Sequence, residues 1–275
     1  MSKIYEPKGK AREYSPLALN YYKGCSHECL YCYVPNMFNR FDNNYNHNSV
    51  GIRKSKKDIL NDVEKSAKKH RNSKKQVLLN FTSDPYNELE EELHITRSVL
   101  EILLEYNIPV SILSKGGNRL LNDLDLFKLF GENIIVGTTL TFFDEKLSLK
   151  WEKGAAIPSE RLNVLRKLKN EGIRTWSSFE PVIIPDESLK LLKYILDENL
   201  CNYVKIGKLN NFKGMDKNID WYDFINRSVS LLRNYKTDFY IKKDLQKFKK
   251  DIYLKDDEIN EDFLNIKNNF ELSLF

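Results

Sequence analysis

Short apolar runs alternate along this chain with longer segments whose apolar residues recur every three or four positions. Pro16 to Asn20 is the first run, and Gln76 to Phe81 the second, ending in Thr82-Ser83-Asp84-Pro85-Tyr86. Ile108 to Leu113 leads into Ser114-Lys115-Gly116-Gly117, and Ile134 to Thr141, Ile173 to Phe179 and Tyr203 to Ile206 follow. Short apolar runs bounded by turn residues read as buried strands. Between them, Ile59, Leu60, Val63 and Ala67 share one helical face, as do Leu93, Val99, Leu100, Leu103 and Leu104. A short helix fits Leu121 to Phe130. The helix carrying Leu162, Leu165 and Leu168 stops at Glu171-Gly172, a common C-terminal cap, and another spans Leu189 to Leu196. Six strands mostly separated by helices predict an α/β fold with a parallel sheet and right-handed crossovers. Periodicity does not say whether that sheet closes.

From about residue 210 the chain is rich in Lys, Asn and Asp, with Trp221, Phe224, Val229, Leu231 and Leu232 marking at least one docked helix. The expected organisation is a core over 1–209 with a cysteine loop at 21–40, then a helical or irregular extension over 210–275.

Composition adds boundaries. A chain of 275 residues with 41% hydrophobic content can bury a large core, and no apolar run is long enough to span a bilayer. The net charge of +5 is mild, and much of the excess lies in Arg53 to Lys75 and Lys242 to Lys250. Such stretches can follow a phosphate backbone, but a solvated face is the simpler account of either. The opening Met1-Ser2-Lys3-Ile4 carries no signal peptide and the chain has four cysteines, so a reducing compartment, the cytoplasm, is expected.

Three of those cysteines lie in Cys25-Ser26-His27-Glu28-Cys29-Leu30-Tyr31-Cys32. Thiolates hold iron–sulfur clusters, and a [4Fe-4S] cube takes four ligands, so a run of three leaves one iron open. An open position separates a reactive metal site from a structural one. A Cys3His zinc site using His27 is the alternative, but His27 stands between two of the cysteines and no second CxxC or HxxxH pair follows. Cys201 lies apart, in an apolar segment at the start of the sixth strand. Polar residues follow directly on the strands: Ser83-Asp84, Ser114-Lys115, Thr139 to Thr141 and Glu180.

The CxxxCxxC spacing followed by an aromatic residue resembles the signature of the radical S-adenosylmethionine (radical SAM) enzymes. Asn20 to Cys25, His27, Cys29, Tyr31-Cys32-Tyr33, Thr82 to Tyr86 and Arg161-Leu162 are jointly similar to the spore photoproduct lyase-related, DNA repair photolyase-like branch, over roughly Leu17 to Leu209. The resemblance implies a partial (β/α)6 TIM-like barrel with chemistry at the C-terminal strand ends. It implies a [4Fe-4S] cluster on Cys25, Cys29 and Cys32, with SAM on the free iron. Ser83 and Lys115 would contact SAM, Thr139 or Thr141 would face its ribose, and Asp84, Ser114, Arg161 and Glu180 complete the implied cofactor set. Tyr31 and Tyr33 match tyrosines implicated in radical relay. Each also has an ordinary reading: Ser83 and Asp84 as helix caps, Lys115 as a solvated lysine, the tyrosines as packing groups.

The implied activity is reductive SAM cleavage to a 5′-deoxyadenosyl radical that abstracts hydrogen from a substrate, with flavodoxin or ferredoxin as electron donor. Nucleic acid is the substrate the resemblance suggests; a peptide or small metabolite, and a non-enzymatic metal-binding scaffold, are the alternatives. One departure stands out. Where the lyase has a hydrogen-donating cysteine before Thr-Ser-Asp, this chain has Phe81. Lesion repair by the lyase's route is therefore not expected. Nothing in the sequence sets the substrate's identity or the oligomeric state.

Overall fold

The computed structural model describes residues 2–40, 46–209 and 219–261. Its strands are β1 (Leu17–Leu19), β2 (Tyr22–Lys23), β3 (Gly51–Ile52), β4 (Val77–Leu79), β5 (Val110–Ser114), β6 (Ile134–Thr139), β7 (Thr175–Val182), β8 (Tyr203–Lys208) and β9 (Asp238–Ile241). The α-helices among the described residues are α1 (Val34–Phe38), α2 (Lys56–Lys69), α3 (Glu90–Leu93), α4 (Ile95–Glu105), α5 (Leu124–Phe130), α6 (Glu145–Trp151), α7 (Pro158–Asn170), α8 (Pro185–Asp197), α9 (Trp221–Asn234), α10 (Lys243–Gln246) and α11 (Asp256–Ile259).

Seven strands form one sheet in the order β1-β4-β5-β6-β7-β8-β9, every pairing parallel. Each new strand adds to the same edge after a crossover, which winds a sheet towards a barrel. The result is a partial TIM-like barrel. The small β2–β3 ladder is antiparallel, pairing Tyr22 with Ile52 and Lys23 with Gly51.

Burial explains which segments became helices. Ser55 caps α2, its hydroxyl accepting from the Asp58 N–H at 3.2 Å, and Ile59, Val63 and Ala67 bury fully while Lys57, Lys65, Lys68 and Lys69 stay exposed. The solvated-face reading therefore fits this helix. Val99, Leu100 and Leu103 of α4 join α2 over one part of the sheet, and Leu192, Ile195, Phe224 and Ile225 of α8 and α9 cover another.

The six expected strands are present in the expected order. A seventh, β9, was not expected, and it pairs with β8 within the same sheet. Beyond residue 209 the chain thus supplies a strand as well as the docked helix α9; residues 210–218 and 262–275 of the expected extension lie outside the described residues. Lys242, assigned from the sequence to a solvated basic stretch, is instead 1% exposed. It directly follows β9 and turns inward.

An incomplete barrel leaves β1 and β9 without each other, and the N-terminal segment crosses that gap. Tyr5 pairs with Ala18 of β1 through backbone hydrogen bonds of 3.0 and 2.9 Å. Further on, the Glu13 carboxylate accepts from the Tyr240 hydroxyl at 3.0 Å and the Lys243 N–H at 2.7 Å. Lys205 of β8 donates to the carbonyls of Glu13 and Tyr14, at 3.3 and 2.5 Å, beneath the rings of Tyr14, Trp176 and Tyr203. Burial, reinforced by the Lys242 charge, pushes the Lys205 pKa well below its ordinary value.

Replacing Glu13 with Ala should cost about 2–4 kcal/mol, because it leaves the buried Tyr240 hydroxyl and the Lys243 N–H without their acceptor and removes one of the two carboxylates near the Lys242 ammonium. Denaturant unfolding measures this directly. An unchanged midpoint would show that the strap is not what holds the two edges together.

Candidate active site

In an all-parallel sheet every C-terminal strand end faces the same side, so the polar residues read from the sequence converge by topology. There they line a cavity of about 470 Å³. Cys25, Cys29 and Cys32 form one part of its wall, with Ser83, Asp84, Ser114, Lys115 and Thr139; Tyr14, Tyr33, Phe81, Glu180 and Lys242 also line it.

The cysteine loop is shaped by close backbone packing. Gly24 has φ +70°, and a Cβ there would strike the Ser49 and His47 carbonyls, so glycine is required twice over. The Cys25 N–H donates to the His47 carbonyl at 2.7 Å, and the Leu30 N–H to the Trp151 carbonyl at 2.9 Å. Gly154 lies against the Ser26 carbonyl, where a Cβ has no room. The loop is thus seated between the 46–50 turn and the turn after α6.

Burial pushes all three loop thiols above their ordinary range, with the Asp84 carboxylate adding to the effect at Cys25. Such thiols become thiolates when a cationic group joins them, which suits an iron–sulfur cluster. His27 adds an orphaned polar atom. Its Nδ1 lies 3.5 Å from Asp84, while Nε2 is buried without a hydrogen-bond partner among the described residues, in the same cavity wall. Burial holds that imidazole well below its ordinary pKa. Among the described residues no three His, Cys, Asp or Glu side chains are close enough to hold a single metal ion. Three cysteine thiols on one cavity wall are the donor type that an iron–sulfur cluster takes.

Beneath Cys29 lies a buried charge group. Glu152, 1% exposed, accepts from Arg161 at 2.5 Å, from Thr141 at 3.1 Å and from the Tyr31 hydroxyl. Burial alone would raise its pKa, but Arg161 and Lys115 overcome this and hold it down at about 2. The Lys115 ammonium lies 3.6 Å from Glu152, 3.6 Å from the Cys29 sulfur and 4.9 Å above the Tyr31 ring. Burial works against that charge, yet Cys29 and Glu152 outweigh it and raise the Lys115 pKa.

The other sequence-derived candidates divide between wall and scaffold. Asp84 accepts from the Ser114 hydroxyl at 2.6 Å and the Lys115 and Tyr86 N–H groups at 2.8 Å each, so Asp84 and Ser114 shape the end of β5. Ser83 ties its hydroxyl to the Gly24 carbonyl at 2.5 Å. Thr141 and Arg161 do not line the cavity; they stand behind it, and Arg161 also holds the Thr139 carbonyl at 2.8 Å. Glu180 joins a second charge group, accepting from Lys242 at 2.6 Å and from the Tyr14 hydroxyl. Tyr33 donates to the Phe81 carbonyl at 3.2 Å. Cys201 packs against the Ser177 hydroxyl at 3.1 Å, away from the cavity, its thiol pushed up to about 12 by burial.

Sequence reading missed Glu152, His47, Tyr14 and Lys242. Glu152 follows α6, whose periodicity was not read, and no residue-type rule marks a glutamate at a helix end as a charge partner. Lys242 was visible only as one lysine among several.

Glu152 stabilises most where it is ionised. With its pKa near 2 against an ordinary 4.5, its contribution is complete above about pH 4.5 and is lost as pH falls towards 2. Glu152→Gln should cost about 3 kcal/mol at neutral pH, since the Arg161 charge is left buried. The variant should also lose part of the acid-side slope in a pH series of unfolding curves. An identical slope would sink this account.

The family model of the Radical SAM superfamily matches residues 19–198. An uncharacterized protein of Methanocaldococcus jannaschii is 32% identical over 180 residues, covering 66% of this chain and 64% of its own length. One of Acidianus two-tailed virus is 27% identical over 194 residues, covering 69% and 64%. The matched region thus spans less than two thirds of either relative. Among solved structures, spore photoproduct lyase complexed with dinucleoside spore photoproduct superposes with a TM-score of 0.64 at 13% identity, covering 88% of this chain and 79% of that one. Streptococcus suis SuiB bound to S-adenosylmethionine gives 0.55 at 12% identity, covering 82% of this chain and 49% of that one. These two likenesses show the fold, and the family model, which covers the cysteine loop and strands β4 to β7, shows the family: the chain belongs to the radical SAM superfamily.

Proposed function

We propose that the chain is a radical SAM enzyme that acts on a nucleic acid strand. A [4Fe-4S] cluster on Cys25, Cys29 and Cys32 would supply one electron to the SAM sulfonium, breaking the C5′–S bond to give methionine and a 5′-deoxyadenosyl radical that takes hydrogen from the substrate. The protein's part is placement. Lys115 keeps its positive charge beside Cys29 and is suited to a carboxylate that also binds iron. Glu152 and Arg161 fix that lysine's surroundings, and Ser83 and Thr139 lie along the same wall for the remaining polar groups of SAM.

The observation that carries the substrate class is a basic trough at the cavity mouth. Lys8, Lys10 and Lys208 line the cavity and continue into a groove with Arg12, Lys243 and Lys247, against Glu13, Asp244 and Glu261. Six basic residues to three acidic ones favour a phosphate chain leading inward. Labelled single-stranded oligonucleotide should bind with an affinity that falls steeply as salt rises, and Lys8→Glu with Lys247→Glu should weaken it about tenfold or more. Binding of neither oligonucleotide nor duplex, with SAM still cleaved, would turn the reading to a peptide or small metabolite.

The chemistry has its own test. Anaerobically reconstituted protein should show the brown cluster chromophore and release 5′-deoxyadenosine from SAM under a low-potential reductant. Replacing the three loop cysteines with Ala should abolish both, while Cys201→Ala keeps both. Lys115→Ala should retain iron but weaken SAM binding by ~1.5–3 kcal/mol by calorimetry, as expected for a lost charge-assisted hydrogen bond. Stoichiometric zinc with no iron uptake would overturn the proposal.

Phe81 bears on the product. It lines the cavity where a thiol would return hydrogen, and Cys201 lies elsewhere. An oligonucleotide carrying spore photoproduct should therefore not be converted cleanly to two thymines. Efficient conversion that survives Cys201→Ala would show that Phe81 is no obstacle.

A further inference from the structure

The turn that closes over the cysteine loop carries His47, which touches two of the three proposed ligands. Its carbonyl accepts from the Cys25 N–H at 2.7 Å, and its Nε2 lies 3.5 Å from the Cys32 sulfur. The ring is 8% exposed and lines the cavity. Its placement is over-determined. The β2–β3 ladder fixes the chain on either side, and Gly24 packs so closely on the His47 and Ser49 carbonyls that no side chain fits between.

We propose that His47 is a positioning residue that donates a hydrogen bond from Nε2–H to the Cys32 sulfur and so sets the potential of the cluster. This rests on the cluster reading above. A thiolate has no proton to give, so across this contact the imidazole must be the donor. Hydrogen bonds to cluster sulfurs draw charge from them and favour the reduced, more negative state. Lys115 gives Cys29 a cationic neighbour at 3.6 Å, and His47 gives Cys32 a neutral donor. Two of three ligands are thereby biased towards accepting one electron from a low-potential donor.

The test is a spectroelectrochemical titration of reconstituted wild type, His47→Phe and His47→Gln. The Phe variant should have a lower midpoint potential at unchanged iron content, and the Gln variant, which keeps an N–H donor, should lie close to wild type. Equal potentials in wild type and Phe would overturn the assignment, as would a Gln variant displaced as far as Phe. A Phe variant that loses the cluster while Gln retains it would support the same bond. Loss in both would show that the packing of the His47 ring, and not this hydrogen bond, supports the loop, and would overturn the proposal. A wild-type protein that takes up no iron would mark failure of the cluster reading instead.

Discussion

The buried carboxylate of Glu152 is the interaction on which the site depends. It joins four parts of the chain that are remote in sequence: the cysteine loop through Tyr31, β5 through Lys115, the end of β6 through Thr141, and α7 through Arg161. One anion faces two cations, so the group carries a surplus positive charge. Arg161 lies behind the cavity, tied to the Thr139 and Ala156 carbonyls, which leaves the Lys115 ammonium as the charge presented to it. A buried ion group of this kind is weak evidence for stability, because well-packed apolar residues often serve as well. Its use here is to keep a cation beside a sulfur in a place where burial would otherwise discharge it.

The second charge group answers a geometric problem. A sheet of seven parallel strands wound in chain order does not close on itself, and the open edge would expose the cavity. The N-terminal strap fills the gap, and the residues that hold it also form the cavity wall. Glu13 lies 3.9 Å from Lys242, Lys242 binds Glu180, and Glu180 accepts from Tyr14 on the strap itself. Closing the barrel and lining the site are thus one set of contacts.

What could be read in advance follows the range of the determining contacts. Six strands were legible because each is a short apolar run between turn residues, and burial on both faces demands that pattern. The cysteines were legible because their spacing is local. β9 was not, since Asp238-Phe239-Tyr240-Ile241 is brief and lies in polar sequence. Ser83, Lys115, Thr139 and Glu180, all read from the sequence as strand-end residues, line one cavity, but strand-end position could not tell wall from scaffold. Thr141 and Arg161 fall on the scaffold side because Glu152, a partner with no sequence marker, draws them away.

The same reasoning explains why Lys242 was misread while the lysines of α2 were not. On α2 the apolar stripe of Ile59, Val63 and Ala67 leaves an opposite face that must be solvated, so the helix settles the fate of its lysines. Lys242 has no such periodicity. It follows a strand at the end of a parallel sheet, where successive side chains point to opposite faces, and its neighbours on the inner face are carboxylates. Glu13 lies more than two hundred positions earlier in the chain and Glu180 about sixty. The lysine is buried because both are there to meet it, and only the three-dimensional closure of the barrel brings them together.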